Sequence, residues 1–309
     1  MITSLFRKST PLNYSLLIIA VIFFFFVYQI NQQTENLSVE AIVEKGAILV
    51  IIFGTLFTIN FIVKKNGLSK DSSYAILFYL LFLLFFPSVW GNLKLITANF
   101  LVLLALRRLL SMQSLKSQKE KIFDASFWIF AASLFYFWSI LFVILVFIAI
   151  LFHVAREFSS WFLPFIALFT VTTIFVFLSL VLKTEWISQL LENATVNYKF
   201  DYFKNNYENL SFSIFVTVAL FFLFSLLVTL SGRPLILHST YKKVLCAFFI
   251  GVAILVISPF KSNELLIFSF APLAIMATSH IELPQQKLKQ EIALFVLIAC
   301  SLFAFFSQL

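Results

Sequence analysis

The stretch SFWIFAASLFYFWSILFVILVFIAILFH (126–153) decides how this chain is to be read. It is 28 residues long and carries no charge until its terminal histidine. A membrane-crossing helix needs about 20 apolar residues. The stretch is therefore too long for one untilted helix and tight for two. The loops on either side arbitrate. If two helices turn near Phe137–Ser139, one side of the membrane holds Arg7, Lys8, Lys64, Lys65, Lys70, Arg107, Arg108, Lys116, Lys119, Lys121, Arg156, Arg233, Lys242, Lys243, Lys287 and Lys289. That is 16 of the 22 basic residues. One helix would flip everything downstream and reduce the split to 14 against 8. Cytoplasmic loops carry the excess of Lys and Arg, so two short helices are expected.

Working outward, the same alternation of apolar runs and short polar loops fills the chain. Spans are expected at 13–30, 47–63, 73–90, 93–106, 124–138, 139–154, 161–182, 211–230, 244–258, 264–280 and 291–308. The expected fold class is an all-α, polytopic transmembrane bundle of about eleven spans, with the N-terminus cytoplasmic and the C-terminus periplasmic. It is read as one integral membrane domain over 1–309. Composition agrees: 61% of residues are hydrophobic and 12% charged, and mean hydropathy is +1.01. A soluble domain carries about 25% charged residues. The net charge of +8 is explained by loop charge that sets orientation, and no nucleic-acid partner is expected. The N-terminal run after Arg7 and Lys8 shows no Ala-x-Ala-like cleavage site and reads as a retained span. The 43 phenylalanines are read as a compositional bias of apolar residues, since Phe and Leu are near-equivalent in lipid.

Metal and cofactor chemistry finds little footing. Cys246 and Cys300 sit in apolar runs and read as small core residues. His153, His238 and His280 lie far apart, with no ligand spacing around them. Neither a metal nor a cofactor is expected. No charged residue is read as lying deep within a span, which argues against an ion relay. Glycine is scarce and forms no Gly-x-x-x-Gly pair for close helix approach.

Four polar segments are left to carry chemistry. The first outer loop, 31–45, holds Glu35, Glu40 and Glu44. The cytoplasmic loop 107–124 opens with Arg107 and Arg108, which read as orientation anchors or as a site for a lipid or nucleotide phosphate. Asp124 reads as a helix-start carboxylate favoured by the macrodipole. The outer loop KTEWISQLLENATVNYKFDYFKNNYENL (183–210) mixes aromatic and charged residues in the manner of an interfacial helix. The last outer turn, 258–264, holds Lys261 and Glu264.

Several stretches resemble an uncharacterised family of Bacteroidota inner-membrane proteins: INFIVKKNGLSKDSSYA (59–75), LALRRLLSMQS (104–114), IFDASFW (122–128), SLFYFWSILF (133–142) and AREFSSWFLPFIA (155–167). This resemblance implies a compartment, the bacterial inner membrane, and not a reaction. A second likeness is to polytopic glycosyltransferases that use polyprenyl-phosphate sugars. FKSNELLIFSFAPLAIMA (260–277) is similar to their penultimate region, and the basic loop followed by short paired helices is similar too. Their protein O-mannosyltransferase branch has eleven spans in the same orientation. Those enzymes place an acidic catalytic residue in a large first outer loop. Here that loop is short, and Glu35, Glu40 and Glu44 match no motif of theirs.

Three readings stand at this point. The first is an enzyme that transfers sugar from a polyprenyl phosphate at the periplasmic face. Glu35 or Glu40 would be the general base, and Lys261, Glu264, Arg107 and Arg108 would bind substrate. The second is a non-catalytic subunit of a cell-envelope complex with a membrane-protein partner. The third is a transporter with Thr55, Thr58, Asn60, Thr97 and Asn99 lining a polar path.

Overall fold

The computed structural model describes residues 2–32, 38–114, 116–182, 186, 188, 190, 193–199, 205–284 and 286–309. Helix is the only regular secondary structure among them. In chain order the helices are α1 (Ile2–Phe6), α2 (Pro11–Asn31), α3 (Val39–Lys65), α4 (Tyr74–Leu84), α5 (Leu93–Leu110), α6 (Gln118–Phe135), α7 (Val143–His153), α8 (Phe158–Leu182), α9 (Asn206–Thr229), α10 (Leu235–Ile257), α11 (Ile267–Ile281) and α12 (Lys287–Ser307). Among the described residues, eight segments are long and apolar enough to cross a membrane: α2, α3, α5 with its 3-10 extension to Ser114, α8, α9 with its extension to Gly232, α10, Asn263–Ile281 and α12. The chain is a multi-pass membrane protein.

Three of the eleven expected spans are not among those eight. The region 73–90 is helical over only 11 residues, and 139–154 becomes the short apolar stretch Phe137–His153. The region 124–138 belongs to α6, which starts at Gln118 and so takes Lys119, Glu120, Lys121 and Asp124 into its first two turns. The long apolar stretch does break. The backbone of Tyr136 is extended, Phe137–Phe142 form a 3-10 turn, and α7 follows.

The chain divides into two compact units: Met1–Ile96, Asp201–Arg233 and Phe270–Leu309 form unit 1, and Thr97–Phe200 with Pro234–Ser269 form unit 2. In unit 1 every residue of α4 is buried, as a helix that is apolar all round must be. Aromatic rings surround it. Phe86 stacks on Phe270 at 6.1 Å, and Phe215 meets Phe82, Phe85, Phe86 and Phe270 at 5.3–5.9 Å. Pro87 keeps the helix from continuing, because it has no N–H and holds Phe86 out of the helical region. The carbonyl of Phe85 left over accepts from Gln308 Nε2 at 2.9 Å, and the same amide reaches Ser211 Oγ at 2.8 Å. With the 3-10 turn Pro87–Gly91, α4 rises roughly 26 Å, close to the ~30 Å hydrocarbon core.

The loop after α3 is held by carboxylates. Asn66 closes α3, and Gly67 follows at φ +63°, a left-handed position that glycine adopts without strain. Glu282 accepts from Ser69 Oγ and Lys70 N, both at 2.8 Å, and from Ser72 Oγ at 2.5 Å. Glu291 accepts from Thr3 N and Oγ1, and Lys64 pairs with Asp71 at 2.9 Å.

In unit 2, α6 and α7 form a hairpin. The break ties to the end of α10 through Tyr136 Oη and Ser258 Oγ, 2.5 Å apart. The other ends of the pair, Lys121 and His153, meet the region around the end of α5. α8 packs along α6, and its remaining surface is exposed and apolar from Phe158 to Leu182. α10 approaches the chain at Phe268 and Ser269 so closely that a Cβ on Gly251 would stand 2.9 Å from their backbone atoms. A single glycine thus provides the close approach for which no paired motif is needed.

Candidate functional site

The end of α5 in unit 2 gathers the chain's most unusual side chains. Leu109 and Leu110 close the helix, and Ser111–Ser114 continue as a 3-10 turn. A helix C-terminus leaves carbonyls without intrahelical partners and carries partial negative charge. Two lysines from distant helices take them. Lys243 Nζ on α10 donates to Leu109 O at 2.6 Å. Lys121 Nζ on α6 donates to Ser111 O at 2.9 Å and to Ser114 Oγ at 2.7 Å. Lys243 is 0% exposed and Lys121 9%. Lys243 Nζ also lies 3.1 Å from His153 Nε2 at the end of α7. A charged ammonium at that distance can only donate, which calls for the Nδ1–H tautomer of His153. Among the described residues no carboxylate pairs with Lys243.

Arg108 stands at the rim and pairs with Asp124 at 2.8 Å, both partly exposed. Arg107 is partly exposed beside it. Gln118 donates to Met112 O at 2.7 Å, while its Oε1 is buried with no partner. Gln113 fixes the start of α10 by donating to Ile236 O at 2.9 Å and accepting from Thr240 Oγ1 at 3.3 Å. These bonds explain why α10 begins at Leu235, two turns before the expected span at 244.

The earlier start corrects one expectation. A charged residue does lie within an apolar helix, because Lys243 is inside Leu235–Ile257 and fully buried. The polar look of HSTYKK (238–243) disguised a helix whose buried side is continuous: Thr240, Val244, Ala247 and Ile254 are all 0% exposed. Asp124 is likewise not a helix-start carboxylate. α6 begins six residues before it, and its oxygen is engaged by Arg108.

The other end of unit 2 holds Lys261 and Glu264. Lys261 Nζ donates to Ser258 O at 3.0 Å, capping α10, and to Asn197 O. Partial desolvation holds its pKa below the ordinary lysine value. Glu264 sits half-buried in the turn Asn263–Leu266. From Lys243 to Ile257, α10 rises roughly 21 Å, so Arg107 and Arg108 lie at the opposite end of unit 2 from Lys261 and Glu264.

Glu40 belongs to unit 1. It is exposed in the first turn of α3, two residues after the N-cap Ser38, and Glu44 is exposed one turn further on. Glu35 lies outside the described residues, as do several residues of the expected interfacial helix in 183–210. Trp186, within that segment, stacks on Phe175 at 6.5 Å. Among the described residues no group of three His, Cys, Asp or Glu is placed to hold a metal ion. Comparison with known protein families, with characterised proteins and with solved structures finds no match.

Proposed function

We propose that this chain is an eleven-span protein of the bacterial inner membrane, N-terminus cytoplasmic and C-terminus periplasmic, that handles a polyprenyl-phosphate-linked sugar at the periplasmic face. The observation that supports this glycosyltransferase-like reading is the α6–α7 hairpin joined to the basic segment 107–124, which the end of α5 and the first turns of α6 share; a basic segment followed by short paired helices is the arrangement for which the sequence resembles those enzymes. In the proposed reaction Glu35 or Glu40 takes the proton of the acceptor hydroxyl. The acceptor oxygen bonds to the anomeric carbon, and the bond from that carbon to the lipid phosphate oxygen breaks. The test is purification from native membranes in mild detergent, with mass spectrometry of bound lipid and protein, followed by transfer assays on Glu35→Gln and Glu40→Gln. A bound polyprenyl-phosphate sugar, and loss of transfer in one variant that remains folded, is the expected result. Full transfer by both variants would end this mechanism.

A second reading, a non-catalytic subunit of an envelope complex, draws support from α8. Phe158, Phe162, Phe165, Phe169 and Phe177 are all more than half exposed along one apolar helix, a surface suited to a partner helix as well as to lipid. A stoichiometric membrane partner in the same purification, with no sugar-carrying lipid, would decide for it.

A further inference from the structure

We infer that His153 and Lys243 form a proton-operated latch between α7 and α10, closed while the pair holds one proton and opened by a second. This does not depend on sugar transfer, since it concerns the opposite end of unit 2 from Lys261. Lys243 Nζ lies 3.1 Å from His153 Nε2 and 2.6 Å from Leu109 O. With one proton on the pair, an N–H of the ammonium points at the Nε2 lone pair, and the carbonyl takes another. A second proton, placed on Nε2, makes both nitrogens donors and leaves no acceptor between them. Two positive charges would then face each other at 3.1 Å. Like charges so close repel most strongly where water is excluded, and Lys243 is fully buried.

The fold decides which partner yields. Lys243 lies on the buried stripe of α10 with Thr240, Val244 and Ala247. His153 is the last residue of α7 and only half-buried, and Ala155, Arg156 and Glu157 after it are exposed. The turns before it are held by the buried side chains of Leu145, Val146, Ala149 and Ile150. Opening therefore frees the end of α7 from α10 while Lys243 stays on Leu109 O. The charges that act on His153 are Lys243 from α10 and Lys121 from α6, both positive. The other ionisable groups near the start of α10 are His238, Tyr241 and Lys242, and those of α6 are Lys119, Glu120 and Asp124. Asp124 pairs with Arg108, and Lys119 pairs with Glu157 at 3.8 Å. α8 and the 3-10 turns Ser111–Ser114 and Phe137–Phe142 also pack on α7 and contain no titratable side chain. The inference needs only the two nitrogens and their separation, whatever else Lys121 engages.

The experiment follows hydrogen–deuterium exchange of residues 150–157 by mass spectrometry, on the full chain in lipid nanodiscs. It is run at about pH 8 and about pH 4, either side of the range in which histidine ordinarily titrates. Each variant is compared with wild type at the same pH, so the pH dependence of the exchange chemistry cancels, as does the protonation of carboxylates common to both. His153→Gln keeps an acceptor oxygen for Lys243 and takes no second proton. Lys243→Met removes the opposing charge, and His238→Gln is the control histidine. At the higher pH all four proteins are expected to exchange alike. At the lower pH wild type and His238→Gln should exchange about tenfold faster than His153→Gln and Lys243→Met, the scale of losing one hydrogen bond to a charged group. Equal exchange of wild type and His153→Gln at the lower pH would overturn the proposal. So would a Lys243→Met chain that loosens as wild type does, because the imidazolium would then free α7 without its partner. Faster exchange of His153→Gln at both pH values would mark a purely structural histidine and overturn it as well. The two variants act on different helices, so if one fails to fold the other still decides.

Discussion

The buried helices α4 and α10 are enclosed in different ways. α4 is enclosed mainly by apolar side chains, its own Phe78 and Phe82 meeting the rings of Phe215, Phe222 and Phe270. α10 is packed backbone to backbone at Gly251, and at its other end it carries Lys243 fully buried. Their polar surroundings differ in the same sense. In unit 1 the carboxylate of Glu282 takes hydroxyl and N–H donors from the loop it fastens, and that of Glu291 takes them from Thr3 in α1. The lysines of unit 2 donate instead to backbone carbonyls at the end of α5. The first arrangement is closed, and its removal should cost stability alone. The second seats buried ammonium groups on backbone carbonyls, and replacing one by an apolar side chain should leave stability nearly unchanged.

The largest effect that sharpens this contrast belongs to the ring cluster. Phe270→Ala is expected to destabilise unit 1 by about 3 kcal/mol, within the range for emptying a packed aromatic site. A melt in detergent that hardly moves would show that the cluster does not hold α4. Gly251→Ala comes next, at about 2 kcal/mol, because backbone atoms at 2.9 Å cannot move aside as a side-chain tip can. An unchanged melting temperature there would mean that the close approach is dispensable. Glu282→Ala should cost roughly 1–2 kcal/mol through the three donors it strands. Faster proteolysis between residues 66 and 73 would locate the loss. Lys243→Met is expected to be the smallest, neutral or slightly stabilising within about 1 kcal/mol, since a buried charge replaced by an apolar isostere often gains stability. A large loss of stability in that variant would make Lys243 a structural staple like Glu282.

The long apolar helices were legible because span length and loop charge are local properties. α2, α8 and α12 stand where their hydropathy puts them. The burial of α4 was not legible, since a helix that faces lipid and one that faces protein are equally apolar. Nor was the lysine cluster. Lys121 and Lys243 are 122 residues apart in sequence, and each sits in a segment whose polar letters read as loop. The signal present was the spacing Thr240, Val244, Ala247, Gly251, Ile254, which carries an α-helical stripe back past Lys243. Arg107 and Arg108 were identified as phosphate candidates, but the buried partners that give that position its character come from α6 and α10.

The most direct measurement is labelling of single cysteines at the two ends of unit 2, in a background where Cys246 and Cys300 are replaced by alanine. Ser114→Cys marks the lysine end and Asn197→Cys the Lys261 end. Cells are treated with a membrane-impermeant maleimide before and after opening the cytoplasmic side. The expected result is labelling of Asn197→Cys in intact cells and of Ser114→Cys only after opening. Labelling of both from the same side would contradict a unit 2 that crosses the membrane with its basic end in the cytoplasm.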